Sequence, residues 1–133
     1  MKRTIALLLI LSLTLSLCGC GSSKPNGMTK ETYNVGKQAL KVMDSYLAEK
    51  TTAEKADAQL SGLMDELDAE ADTLSKRSDS GDVDALSGKF CNSSISFWIS
   101  AFAMGMYGLK NSYGTAYDCQ SARDSLYDAL QSS

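Results

Sequence analysis

Histidine is missing from all 133 residues of the chain. Its absence removes the commonest general base, the commonest zinc ligand and the side chain that titrates nearest neutral pH. Ser-His-Asp and Cys-His nucleophilic arrangements are therefore excluded. Gly-x-Ser-x-Gly elbows, Ser-x-x-Lys motifs of the β-lactamase type, phosphate loops and dinucleotide glycine fingerprints are missing too. Enzymatic chemistry would have to rest on carboxylates, tyrosines and lysines. Strand signals are sparse, with few β-branched runs and no hairpin dipeptide flanked by alternation. The single proline, Pro25, stands near the start. The apolar run over residues 5–17 holds 13 residues, short of the roughly 20 that span a bilayer as a helix.

That run sits behind Lys2 and Arg3 and leads into Leu17-Cys18-Gly19-Cys20. A positive start, a short apolar stretch and a small residue before a cut form the pattern of a secretory signal. Cys18 follows bulky Leu17, whereas Cys20 follows small Gly19 with Leu17 three residues upstream. The segment resembles a bacterial lipoprotein signal peptide with its lipobox. Cys18 at the second lipobox position, where Ser or Ala is usual, is its one departure. The resemblance implies cleavage after Gly19, a diacylglyceryl thioether on Cys20 and often an acyl chain on its amino group. Two or more chains give stable membrane attachment, since each buried CH₂ adds about 0.8 kcal/mol. The organisation expected is a signal peptide over 1–19, a lipidated cysteine with a flexible polar tether over 20–28, and a helical domain over 29–133.

Loss of residues 1–19 removes two basic groups, leaving 11 Lys and Arg against 16 Asp and Glu. An acidic surface argues against nucleic acid and against electrostatic docking on anionic lipid heads. The 114 remaining residues suffice for one domain and one core. Cys91 and Cys119 remain for the fold, separated by 27 residues. In an oxidising exterior two such thiols tend to pair; otherwise both serve as small core hydrophobes.

Apolar residues recur at spacings of three and four, the helical period. A first helix is expected over about 29–50, capped by Thr29, with Tyr33, Gly36, Leu40, Met43 and Leu47 inward, broadened by Ala39 and Tyr46. A second runs from Thr52 to about Lys76 along the near-heptad line Ala56, Leu60, Leu63, Leu67 and Leu74. Thr51 with Glu54 fits a capping box there. A turn at 78–81 precedes a third helix, capped by Asp82 or Asp84 and reaching about Tyr107. Its face is expected to carry Leu86, Phe90, Phe97, Phe102 and Met104, with Ile95, Trp98, Ile99 and Ala101 alongside. Residues 90–109 carry no charge, which predicts the most buried helix of the bundle. Asn92 and the nearby serines weigh against a membrane span there. Thr115 is the expected cap of a last helix to about Leu130, with Ala116, Cys119, Ala122, Leu126 and Leu130 inward. The fold class is all-α: an up-and-down antiparallel bundle of about four helices. In a hairpin turning near residue 111, Cys119 faces roughly residue 103, about 18 Å along the helix from Cys91. A disulfide would need the third helix to break near Gly105.

No cofactor or metal is indicated. Asp65, Asp68 and Asp72 share a face, and Asp79, Asp82 and Asp84 crowd a turn, but solvation and capping account for both sets. The Asn92-Ser93-Ser94 sequon is uninformative in a bacterial lipoprotein. Phe97, Trp98, Phe102, Met104, Tyr107 and Tyr113 form the candidate ligand or partner patch if they are exposed. The expected function is a lipid-anchored envelope protein, membrane-bound through Cys20, with a non-catalytic binding or scaffolding domain and an envelope protein as partner. Two rivals are a small-molecule carrier with an apolar pocket between helices three and four, and a carboxylate enzyme. A filled core with an exposed patch favours binding, a cavity lined by Phe97, Trp98 and Phe102 favours a carrier, and converging carboxylates favour an enzyme.

Overall fold

The structure is a computed structural model describing residues 24–132; the leader and Cys20 lie outside the described residues. Four helices follow in order: α1 Lys30–Leu47, α2 Ala53–Asp79, α3 Val83–Met106 and α4 Cys119–Gln131. Consecutive helices pack against each other, α4 returns to α1, and α1 meets α3 across the middle. The all-α bundle expected from the spacing is the fold of the described residues.

Local chemistry sets the helix starts. The Thr29 hydroxyl accepts from the Thr32 N–H, Thr52 from Lys55, and the Asp82 carboxylate from Ala85. Each satisfies one donor left orphaned in a first helical turn. At α2 the cap is therefore Thr52, and the Thr51–Glu54 box does not set the boundary. Two hydrogen bonds from Arg77, at 2.8 and 3.0 Å, hold the Asp82 carboxylate from the preceding helix. The Ala85 N–H and Arg77 together keep the Asp82 carboxyl below the usual carboxylate range. The last helix departs from expectation. Asp118, not Thr115, caps α4, its carboxylate accepting from the Gln120 and Ser121 N–H groups at 2.9 and 3.4 Å. Residues 110–116 are used in a tight loop, where Asn111 Oδ1 accepts from the Tyr113 and Thr115 N–H groups. Thr115 is thereby committed before the helix begins.

α1, α2 and α3 close with the same paired hydrogen bonds beyond the last turn, from Glu49 and Lys50, Gly81 and Asp82, and Gly108 and Leu109. This termination needs a residue in the left-handed region. Glycine fills it at Gly81 and Gly108, but Glu49 fills it after α1 with φ at 56°. A non-glycine residue there carries a steric cost of roughly 1–2 kcal/mol. Glu49→Gly is expected to stabilise the domain by about 1 kcal/mol, an increase readable in a urea unfolding midpoint at unchanged slope.

The core runs along the bundle axis. α2 contributes Ala56, Leu60, Leu63, Leu67 and Leu74, the whole expected seam. α4 contributes Ala122, Leu126 and Leu130, whereas Ala116 lies exposed before the helix. α1 buries Tyr33, Gly36, Ala39 and Met43 together with Thr32 and Val35, while Leu40 is only partly buried and Leu47 is exposed. The expected inward line is thus rotated toward Thr32 and Val35. The described chain packs before residue 29 as well. Pro25 and Met28 are buried, and the Met28 N–H donates to the Pro25 carbonyl in a turn. The Lys24 ammonium donates to the Met28 carbonyl at 2.7 Å. Ordered structure therefore reaches into the stretch expected as tether, because Met28 has apolar surface to bury.

α3 corrects the sequence reading most. Its buried positions are Ala85, Gly88, Asn92, Ile95, Ile99, Ala101 and Phe102. Most of them follow a three-four spacing built on small residues. A Cβ at Gly88 would lie 3.0 Å from Leu74 Cδ2, so α2 approaches the backbone of α3 directly there. Close approach selects the small-residue face for the inside. The larger residues Leu86, Phe90, Phe97 and Met104 are left outside. α3 packs against all three other helices, but one of its sides is left exposed.

Candidate functional site

The outward surface of α3 is the most distinctive site on the molecule. Val83, Phe90, Phe97 and Met104 recur every seven residues, and Leu86 lies on the same side. At 100° per residue these positions fall within a narrow sector of the helix. Val83 is 74% exposed, Phe90 70% and Phe97 56%. Exposed Ser93 and Ser94 lie between the two phenylalanines. Lys89 is the only charged residue between Asp84 and Lys110, so the surface has almost no charge to desolvate. Scattered apolar residues on a surface mean little, but a contiguous apolar row marks an interaction site.

The expected patch residues divide into three groups. Phe97 and Trp98 pack edge to face with centroids 4.8 Å apart, and Met104 continues the outward row. Tyr107 and Tyr113 lie beyond the α3 terminus, Tyr113 almost wholly exposed on the 110–116 loop. The Tyr107 hydroxyl donates to Asp57 at 3.2 Å, and its pKa is raised by desolvation first and by this carboxylate second. Phe102 belongs to neither group. It is fully buried, with the Tyr46 ring edge-on at 5.8 Å, and is a core residue. Phe97 and Phe102 lie about 140° apart on α3 and line no common cavity. Open clefts occur instead along the α1–α2 groove, the larger about 1090 Å³ and lined by Lys30, Lys37, Lys41, Gln59 and Glu66 among others. Its wall is polar and basic on the α1 side.

The cysteine pairing expected at 91 and 119 is not formed; both are free, half-buried thiols. Cys119 Sγ donates to the Phe102 carbonyl at 3.5 Å. It also sits 2.8 Å from where a Cβ at Gly105 would lie. Cys119 thus faces the end of α3, while Cys91 stands roughly 16 Å further back at 1.5 Å per residue. A disulfide needs Cα atoms within about 7 Å. α3 runs unbroken to Met106, so the early break that would join them does not occur. Burial raises both thiol pKa values, which keeps them protonated and unreactive near neutral pH.

Asn92 has a role that composition does not suggest. It is 3% exposed, and its amide donates to the Leu67 carbonyl at 3.0 Å and to Thr32 Oγ1 at 3.5 Å. The Thr29 hydroxyl donates to Thr32 Oγ1 at 3.0 Å. One polar chain therefore ties α1, α2 and α3 together inside an apolar core. The sequon asparagine is out of reach of any modifying enzyme in the folded domain. On the surface, Arg123 pairs with Asp44 at 2.7 Å and joins α4 to α1.

Among the described residues no three His, Cys, Asp or Glu side chains gather where they could hold a metal ion. No helix among them is long and apolar enough to cross a membrane. Comparison with known protein families, curated proteins and solved structures finds no match to this chain.

Proposed function

We propose that the chain is an extracytoplasmic lipoprotein, anchored through lipid on Cys20, whose helical domain acts as a non-catalytic surface-binding module. The observation carrying the binding reading is the outward apolar row on α3. Evolution usually places Phe and Leu inside, since burying such a side chain is worth about 1.5–3 kcal/mol. Here Leu86, Phe90 and Phe97 are exposed while other residues form the core. An apolar row kept outside the core is the kind of surface that binds a partner. The carrier reading is weaker, because Phe97 and Phe102 diverge and the clefts lie between α1 and α2. The carboxylates at 65, 68 and 72 are exposed on α2, and Asp82 is committed to capping. An enzymatic reading gains no site from them.

The anchor is tested by labelling cells that produce the chain with a clickable palmitate analogue. Wild-type protein is expected to incorporate the label and to partition into detergent phase. Cys20→Ser should lose the label and should keep the leader. A Cys20→Ser variant that still incorporates the label would refute the lipoprotein reading.

A further inference from the structure

We infer that the outward face of α3 lies on the surface of the bilayer that holds the anchor, so that the lipid interface is the partner of this helix. The inference rests on the lipid-anchored reading above and adds the orientation of the domain. It is carried by where the described chain ends. Segment 24–29 runs along one flank of the apolar row. A Cβ at Gly27 would lie 3.0 Å from Ser87 Cβ, and one at Gly88 would lie 3.3 Å from Thr29 Cγ2. The Lys24 charge is close enough to act on the Cys91 thiol, one residue past Phe90. Only residues 21–23 separate Cys20 from Lys24, a span of at most about 14 Å when fully extended. α3 itself is about 36 Å long at 1.5 Å per residue. The lipid therefore emerges beside the apolar face, on a leash shorter than half the helix.

A short leash makes contact with the bilayer an intramolecular event, favoured by the high effective concentration of the tethered surface. The face suits an interface. Val83, Leu86, Phe90, Phe97 and Met104 offer apolar groups, Ser93 and Ser94 can hydrogen-bond with headgroups, and Lys89 is the one charge that α3 itself carries between Asp84 and Lys110. An apolar face with so few basic groups does not depend on anionic lipid, which agrees with the acidic balance of the domain. A helix in this position lies along the membrane rather than across it. A second copy of the chain could cover the same face, but no leash brings one there.

Trp98 is the only tryptophan and stands against Phe97 beside the row, so it reports on the contact directly. The experiment uses the full lipidated protein in phosphatidylcholine vesicles, with and without lipids brominated near the headgroup end of the acyl chains. The expected result is a blue shift of Trp98 emission and loss of most of its intensity in brominated vesicles. Leu86→Ser/Phe90→Ser leaves the Phe97–Trp98 pair in place. It should still float with the vesicles and keep its helical circular dichroism, yet lose the quenching. Wild-type protein that floats unquenched overturns the inference alone, as does quenching undiminished in the double variant. Unquenched protein that is also dimeric by light scattering assigns the face to a second copy. Protein that does not float at all overturns the anchor, and the inference with it.

Discussion

Phe102→Ala is expected to cost about 3–5 kcal/mol, most of the stability of a domain this size. Phe102 is fully buried, is the largest wholly enclosed side chain, and meets the Tyr46 ring edge-on. Truncation removes the transfer energy of the ring and leaves a void between α1, α3 and α4. Little can collapse into that void. The Phe102 carbonyl is held by the Cys119 thiol, and Cys119 is itself wedged against Gly105. A loss of this size lowers Tm by roughly 15 °C or more for a domain near 100 residues. Phe97→Ala, five positions earlier on the same helix, should cost about 1 kcal/mol or less, since it loses mainly the edge contact with Trp98. Thermal unfolding of the two variants side by side measures the contrast. Equal losses would mean that the outward row is part of the fold rather than a surface.

How far the sequence reveals this arrangement depends on where the charges fall. On α2 the carboxylates at 65, 66, 68, 70 and 72 occupy the outer faces, so the seam from Ala56 to Leu74 is legible residue by residue. α3 offers no such contrast: with residues 90–109 uncharged, periodicity alone cannot say which apolar face is inner. Size suggests Phe90 and Phe97, but close approach of α2 at Gly88 selects the small-residue side. The cap of α4 is obscured because Thr115 and Asp118 are both competent. Asn111, four residues upstream, decides between them by closing its loop on the Thr115 N–H. Met28 reads as spacer because its neighbours are Gly, Asn and Pro, although its own side chain is buried. The cysteines show the reverse case. Helix rise alone places Cys119 near residue 103, and the thiol is found bonded to the Phe102 carbonyl.

α3 therefore divides two tasks between its faces. The inner face holds mostly small and branched residues that let α2 and α4 come close, with Phe102 as its one fully buried ring, and the outer face holds Phe90 and Phe97. That division has a consequence for variation. Substitutions at Ala85, Gly88 or Ile95 act through folding, whereas polar substitutions at Leu86 or Phe90 should leave folding intact and act through whatever the face touches.

Asn92→Asp should reverse the pH dependence that a carboxylate ordinarily brings to a folded protein. The Asn92 amide donates to the Leu67 carbonyl and Thr32 Oγ1 at a site 3% exposed. An ionised carboxylate placed there cannot donate, faces the lone pairs of the Leu67 carbonyl, and loses its hydration. The protonated acid can donate one hydrogen bond to that carbonyl, so the fold favours the neutral form and the folded pKa is raised. The sign follows from linkage. Below the unfolded value of about 3.9 the carboxyl is protonated in both states, and the ionisation penalty is absent. Above it, unfolding releases a proton, and the variant loses about 1.4 kcal/mol per pH unit until the folded pKa is reached. If that pKa lies near 7, the penalty at neutral pH is about 4 kcal/mol. The variant is thus expected to be folded and close to wild-type stability near pH 4, and to unfold at low urea, or without any, near pH 7. Asn92→Leu provides the control. It removes the donor without adding a charge, leaving the Leu67 carbonyl to its own helix and Thr32 to Thr29, so its loss should be small and independent of pH. Urea midpoints for the three proteins across pH 4–7 give the comparison. A flat profile for Asn92→Asp would show that water reaches this site and that the polar link between α1, α2 and α3 is not sealed in the core.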